Sequence, residues 1–361
     1  MITSSSTTVT KKLFLFFLII AGLYYGQIFL MPFVIGGILA TLFLPFCNRM
    51  EKKKFPKGLA VFLCLLTLLV FISAIIALLS WKISDVFNDI TLLKEKALDT
   101  VAYIQKYIFK HFNISVAEQF KILNEEKPSY SSMMQIILSS FAAIVTNLVL
   151  VTAYFLFLLY YHSHIKQFIL KLTAVSEQKS MELILHKIAK VSQQYLFGLS
   201  KMIVCLWIMY YIGFSFIGLE NAFFFAILCG FLEIIPFVGN ITGTSLTILI
   251  AAMHGGDLML LAGIAVTYGI VQFIQGWVLE PLMLGPQVKI NPLFTIIALV
   301  LGELLWGIPG IILAIPLTAM LKIMCDHVES LKPYGFLIGE IESKKSGDSH
   351  FFKKIKTFFS H

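Results

Sequence analysis

The stretch 231-FLEIIPFVGN-240 sets a carboxylate, a proline and a glycine inside an apolar run that otherwise reads as a membrane helix. Pro236 has no amide hydrogen, and its ring collides with the carbonyl four residues back, that of Leu232, so a helix kinks or stops there. Gly239 then lets the chain turn. Unpaired backbone is costly in hydrocarbon, so a broken helix survives only where protein or a water-filled cavity covers the break. Glu233 lies one turn before Pro236, near the carbonyl that the proline is expected to free. A carboxylate beside such a carbonyl is the arrangement of a cation or proton site in transporters with discontinuous helices.

The rest of the chain supports a lipid setting. Of 361 residues 58% are hydrophobic and 13% charged, against about a quarter charged in a soluble domain. Mean hydropathy is +0.87. The charge-free runs 13–48, 58–81 and 128–165 reach or exceed the roughly 20 apolar residues that cross a bilayer. The net charge of +8 does not point to nucleic acid. Arg49 is the one arginine among 28 basic residues, and the lysines cluster beside apolar runs, which is a topological pattern. The five cysteines lie in or beside apolar segments without a CxxC pair, and read as small buried hydrophobes. No metal site and no cofactor is expected.

Working outward, spans one and two occupy 13–47, broken near Met31–Pro32 or Gly36–Gly37. They lead into the basic loop "NRMEKKKFPKG", which the positive-inside rule places in the cytoplasm together with the N-terminus. Span three covers 58–81. Residues 82–132 balance lysines against acids and carry an apolar stripe at Val86, Ile90, Leu93, Ala97, Val101, Ile104 and Ile108. That stripe predicts an amphipathic helix, packed within the chain or against a second copy. Span four covers 133–161. The segment 162–200 has a second stripe at Met181, Ile184, Ile188, Val191 and Tyr195, which predicts a cytoplasmic amphipathic helix. Further segments at 202–218, 221–239, 241–279 (turning at "HGGD") and 292–325 precede a basic tail. The expected fold is all-α, a polytopic helical membrane protein of about eight transmembrane helices with broken or re-entrant segments in the C-terminal half. Its parts are a membrane region 1–81, an extracytoplasmic segment 82–132, a transport core 133–328 and a cytoplasmic tail 329–361.

Two other stretches repeat the opening pattern. In "GELLWGIPGIILAIP" Pro309 and Pro316 free the carbonyls of Leu305 and Ile312, with Glu303 upstream and Gly310 following. The spacing Ala298, Gly302, Pro309 echoes Ala226, Gly230, Pro236, as an internal repeat would. In "WVLEPLMLGPQVKINP" Glu280 precedes Pro281, which disfavours helix at Glu280 itself. Intramembrane acids are costly and mark substrate and ion paths, so Glu233, Glu280 and Glu303 are the candidate path residues, with Pro236, Gly239, Pro281, Pro309 and Gly310 shaping the breaks. Asp257, after two glycines, reads as a turn residue. The motifs GxxxxGK[ST], HExxH and GxSxG are absent, so no enzyme and no single-chain ATP-driven pump is expected.

The series "FLEIIPFVGN", "VLEPLMLGPQVKINPLF" and "GIPGIILAIPLTAMLKI" resembles the signature region of the autoinducer-2 exporter family of bacterial inner-membrane permeases. Pro236 and Gly239 match its Pro-aromatic-x-Gly element, Glu280, Pro281 and Gly285 its Glu-Pro element, and Gly307, Gly310 and Pro316 its Gly-x-x-Gly and Ala-x-Pro element. Asn240 and Leu282 depart from the proline and the basic residue that the family often has there. The resemblance implies a homo-oligomeric multi-pass permease of the inner membrane with both termini cytoplasmic, exporting a small polar solute such as a signalling molecule. Sodium–proton exchange, as in other branches, and a non-transporting oligomeric scaffold are the alternatives. The partners implied are the lipid bilayer and a small solute, or a monovalent cation and a proton.

Overall fold

The computed structural model describes residues 3–88, 130–236, 238–284 and 289–340. The N-terminal apolar run forms α1 (Thr3–Tyr25) and α2 (Gln27–Lys52), which meet at Gly26. The backbone bends there without losing direction, because the Gly26 amide donates to the Gly22 carbonyl at 2.9 Å and the Leu30 amide to the Gly26 carbonyl at 2.8 Å. The interruption therefore falls earlier than Met31–Pro32 or Gly36–Gly37, and Pro32 and Pro45 lie inside α2. Gly36 has another use. A side chain on it would run into Tyr154 and the backbone of Val151 and Phe155 in α4 (Tyr130–Leu172). Small residues at such crossings let membrane helices approach closely. Tyr154 stands edge-on to Phe29 and Phe33, and α3 (Lys57–Asn88) completes a core with Cys47, Cys64, Phe155 and Leu159 buried.

After a short turn, α5 runs unbroken from Gln178 to Phe216. It joins most of the expected cytoplasmic amphipathic segment and the following span into one helix, since 178–197 contains neither glycine nor proline to stop it. Its buried stripe includes Ile184 and then Ser192, Tyr195, Gly198, Met202, Leu206, Tyr210 and Phe214, these last at steps of three and four. This is the apolar face of a helix that packs along its whole length.

Two helical hairpins fold against α5. In the first, α6 (Ala222–Leu232) and α7 (Val238–Met253) join at the quoted stretch. A side chain on Gly239 would fall on the Leu232 carbonyl and one on Gly243 would meet Cys229, while the Thr247 hydroxyl lies 3.5 Å from the Cys229 sulfur. Contacts that step outward from the turn in this way define an antiparallel pair. With 11 and 16 residues the arms are about 16 and 24 Å long, short of the roughly 30 Å hydrocarbon core. Next, α8 (Leu258–Ile274) passes through a π-turn, Gln275–Leu279, into α9 (Glu280–Met283). Asp257 caps α8 by accepting the Leu260 amide at 2.8 Å, the turn role read from the sequence.

The second hairpin lies within α10 (Pro292–His327). Gly307 has φ 61° and ψ −141°, a backbone that favours glycine. Gly302 and Gly310 then meet backbone to backbone, so close that a side chain on either would strike the other's carbonyl. Residues eight apart in a continuous helix would stand about 12 Å from each other, so the chain reverses at Gly307. Asn291 caps α10 through the Phe294 amide and holds α11 (Lys332–Ile338) by donating to the Leu337 carbonyl at 2.7 Å.

Among the described residues six helices are long and apolar enough to cross a membrane, beside the shorter apolar helices Leu13–Tyr25, Ala222–Leu232 and Val238–Met253. One of the six, α10, is folded in two. The architecture is that of a polytopic all-helical membrane protein, and the extended pairing described is a single bridge between Ile290 and Gly339. The stripe expected over 86–108 lies outside the described side chains, and the tail from 341 lies outside the described residues.

Candidate functional site: a buried carboxylate at a hairpin tip

Glu233 ends α6 and is 5% exposed. The segment folds as it does because each backbone group near the proline finds a local partner. The Glu233 amide bonds the Cys229 carbonyl at 3.1 Å, the Ile235 amide the Leu232 carbonyl at 2.9 Å, and the Gly239 amide the Ile235 carbonyl at 2.9 Å. The Leu232 carbonyl is therefore not freed by Pro236: a tightened i to i+3 bond takes it up, and Gly239 packs over it. The carbonyl expected to stand free beside the carboxylate is instead taken up in a backbone bond.

Its partners are neutral amides. Gln275 donates to Glu233 Oε1 at 3.0 Å, and Gln272 donates to Oε1 at 3.2 Å and Oε2 at 3.4 Å. The Gln272 nitrogen also lies 3.3 Å from the Tyr210 hydroxyl and 3.3 Å from the Gln275 oxygen. An amide has two hydrogens, so these acceptors share them. Asn240, at the start of α7, donates to the Gln272 oxygen at 3.0 Å, while its own oxygen accepts the Ile241 amide at 2.6 Å. The Gln275 amide also reaches Glu280 Oε1 at 3.4 Å. One carboxamide thus bridges two of the three carboxylates that the sequence singled out.

The π-turn makes that bridge. Pro281 has no amide hydrogen for the Trp277 carbonyl, and the helix widens over Gln275–Leu279 just before it. Such bulges in helices are frequent at functional sites. With the turn widened, Glu280 keeps helical angles, φ −61° and ψ −51°, against the expectation that a following proline would push it out of helix. Glu280 is exposed where Glu233 is buried.

The other predicted residues lie elsewhere. Pro236 and Gly239 form the turn of the first hairpin. Glu303 is exposed on the second, where Pro309 follows the reversal and Gly310 packs on Gly302. The second hairpin tip is tied to the N-terminal helix instead, by the Trp306 indole donating to the Leu23 carbonyl at 3.0 Å. Among the described residues no group of three or more His, Cys, Asp or Glu converges as metal ligands do. Sequence reasoning passed over Tyr210, Asn240, Gln272 and Gln275. The readable signal was "QFIQ": two amides three residues apart occupy one face of a helix in an otherwise apolar span.

A short hairpin that carries a buried carboxylate to a protein-covered tip is a construction found in membrane transporters with discontinuous helices. Comparison with known proteins agrees. The family model described as AI-2E family transporter matches residues 13–330, and the chain belongs to that family. YueF of Bacillus subtilis strain 168 is 27% identical over 313 residues, covering 81% of this chain and 82% of its own. YhhT of Escherichia coli K12 is 20% identical over 326 residues (89% and 91%), and a Haemophilus influenzae relative 22% identical over 344 (91% and 95%). Their names assign transport and state no substrate. The protein is a multi-pass membrane transporter of this bacterial family.

Proposed function

We propose that this transporter is a secondary permease that exports a small polar solute, with Glu233 as its principal binding group and Glu280 as the next group along the path. The observation that carries the reading is the position of Glu233. It sits buried at the tip of a hairpin whose arms cannot span the bilayer, held by two glutamine amides and paired with no cation among the described residues. The lysine-rich loop 52–57 and the basic tail favour a cytoplasmic side for that loop and for the C-terminus. An inner-membrane location fits the bacterial relatives.

The same carboxylate serves the alternative, exchange of a monovalent cation for a proton. Purified protein in liposomes loaded with a pH dye separates the two. Sodium-induced proton flux that disappears in Glu233→Gln supports exchange, whereas its absence in the wild type removes that alternative. In both cases Glu233→Gln is expected to reduce transport at least tenfold. Wild-type flux in that variant refutes the central role of the carboxylate.

A further inference from the structure

The buried face of α7 carries more polar side chains than the Glu233 cluster uses. Asn240, Thr244, Thr247 and Ala251 lie along it, all buried. Asn240 is engaged with Gln272, and the Thr247 hydroxyl bonds back to the Gly243 carbonyl at 2.8 Å. Thr244 differs: it is 5% exposed and its hydroxyl has no hydrogen-bond partner. A threonine in a helix ordinarily relieves this by bonding to the carbonyl four residues back, as Thr242 and Thr247 do. The Thr244 hydroxyl is left buried without a partner, and an unsatisfied polar group there is costly.

Farther along the same face, Ala251 lines a cavity of about 350 Å³, enclosed by the turns 218–221 and 254–257 with Phe225, Ile250 and Leu260. Its ionisable lining is Glu220, His254 and Asp257, with no lysine or arginine. Asp257 gives one oxygen to the Leu260 amide, and the His254 Nδ1 donates to the Ile250 carbonyl at 2.8 Å. Because α7 and α8 pack antiparallel, Asn240 pairs with Gln272 at one end while Ala251 and Leu260 share the cavity at the other. Thr244 lies between the two.

We propose that this face of α7 is the solute's route from the Glu233 cluster to the cavity, with the cavity as its mouth and the Thr244 hydroxyl as the hydrogen-bonding contact midway. The inference rests on the transport reading. It adds a solute class: carboxylates stand at both ends, Glu233 and Glu280 within and Glu220 and Asp257 at the mouth, so the route admits neutral hydrogen-bonding or cationic solutes and repels anions.

The test is thiol labelling of the full chain in liposomes, with native cysteines retained and each site read separately by peptide mass mapping. The probes are impermeant methanethiosulfonates, one carrying trimethylammonium and one sulfonate. Thr244→Cys and Ala251→Cys are expected to react with the cationic probe at least tenfold faster than Ile241→Cys and Leu249→Cys on the exposed face of α7, and faster than with the anionic probe. Ala251→Cys labelling while Thr244→Cys stays unlabelled overturns the route, and equal rates with the two probes overturn the charge selection. Protection of Cys47 and Cys64, both fully buried, reports that a variant is folded. If Thr244→Cys unfolds, wild-type Cys229, which touches Thr247, is read in its place. Cys229 labelling no faster than Cys47 and Cys64 then overturns the proposal. No flux is measured, so a failure of the transport reading shows separately, in Glu233→Gln.

Discussion

Gln272→Leu probes the cluster at its hub. The substitution keeps most of the side-chain volume while removing the donor to Glu233, at 3.2 and 3.4 Å, and the acceptor for Asn240, at 3.0 Å. A hydrogen bond to a charged acceptor contributes about 1.5–3 kcal/mol, and stranding the Asn240 amide adds about 1–3 kcal/mol. Leucine recovers about 1 kcal/mol through added apolar burial, because Gln272 is already partly covered. The net loss is about 3 kcal/mol, and at about 2 °C per kcal/mol for a large chain the unfolding midpoint falls by about 6 °C. The assay is thermal unfolding in detergent, followed by tryptophan fluorescence. A double-mutant cycle with Glu233→Leu isolates the pair: removing both partners is nearly neutral where removing one is not, so the coupling should be about 1.5–3 kcal/mol. An unchanged midpoint in Gln272→Leu, or strictly additive effects in the double variant, refutes the assignment of Gln272 as the partner of Glu233.

Gln275→Lys places an ammonium where one amide now reaches both Glu233 and Glu280; flux should be lost while the melting point is kept or raised, and retained flux would contradict the proposed path. Gly310→Leu drives a side chain into the Gly302 carbonyl and must part the arms of the second hairpin; overpacking of this kind costs about 1–3 kcal/mol, read as a lower midpoint and faster proteolysis near 307. Trp306→Phe removes the 3.0 Å bond to the Leu23 carbonyl and should lower the midpoint by about 2 °C, the equivalent of about 1 kcal/mol; no change would show that α1 is held by packing alone.

The hairpin tip was legible because proline and glycine act locally. Pro236 ends α6 within a few residues of where backbone chemistry requires, and Glu233 stands out against an apolar run by charge alone. The Leu232 carbonyl was misjudged because proline removes a donor, whereas the fate of the acceptor depends on the next turn, where Ile235 closes a tighter bond. Gly36 was read as a break for a related reason. Glycine permits both a bend and a close crossing, and only the position of Tyr154 across the gap decides between them. Glutamine carries no charge, so Gln272 and Gln275 left the charge pattern unchanged, although a buried amide needs partners as surely as an acid does. Glu303 stands apart from the cluster. Its charge made it a candidate, yet it is exposed on the second hairpin, outside the hydrogen bonds of the cluster.

The partners of Glu233 suit the transport site proposed for it. A lysine or arginine beside the carboxylate would close an ion pair, and a buried pair of that kind leaves little attraction for a third charge. Water would satisfy the carboxylate, but it would have to be stripped away again for each solute. Glutamine side chains on the bulged helix α8–α9 donate hydrogen bonds without cancelling the charge, and Asn240 from the opposite arm fixes the orientation of one of them. The glycines at 239 and 243 let α7 pack closely on α6 at Leu232 and Cys229, beside the residue that reaches Gln272. A hairpin too short to cross the bilayer holds the assembly within it, and under the proposed function the preorganised carboxylate would attract a cation, a proton or a hydrogen-bonding solute and release it at little cost, because the amides remain in place.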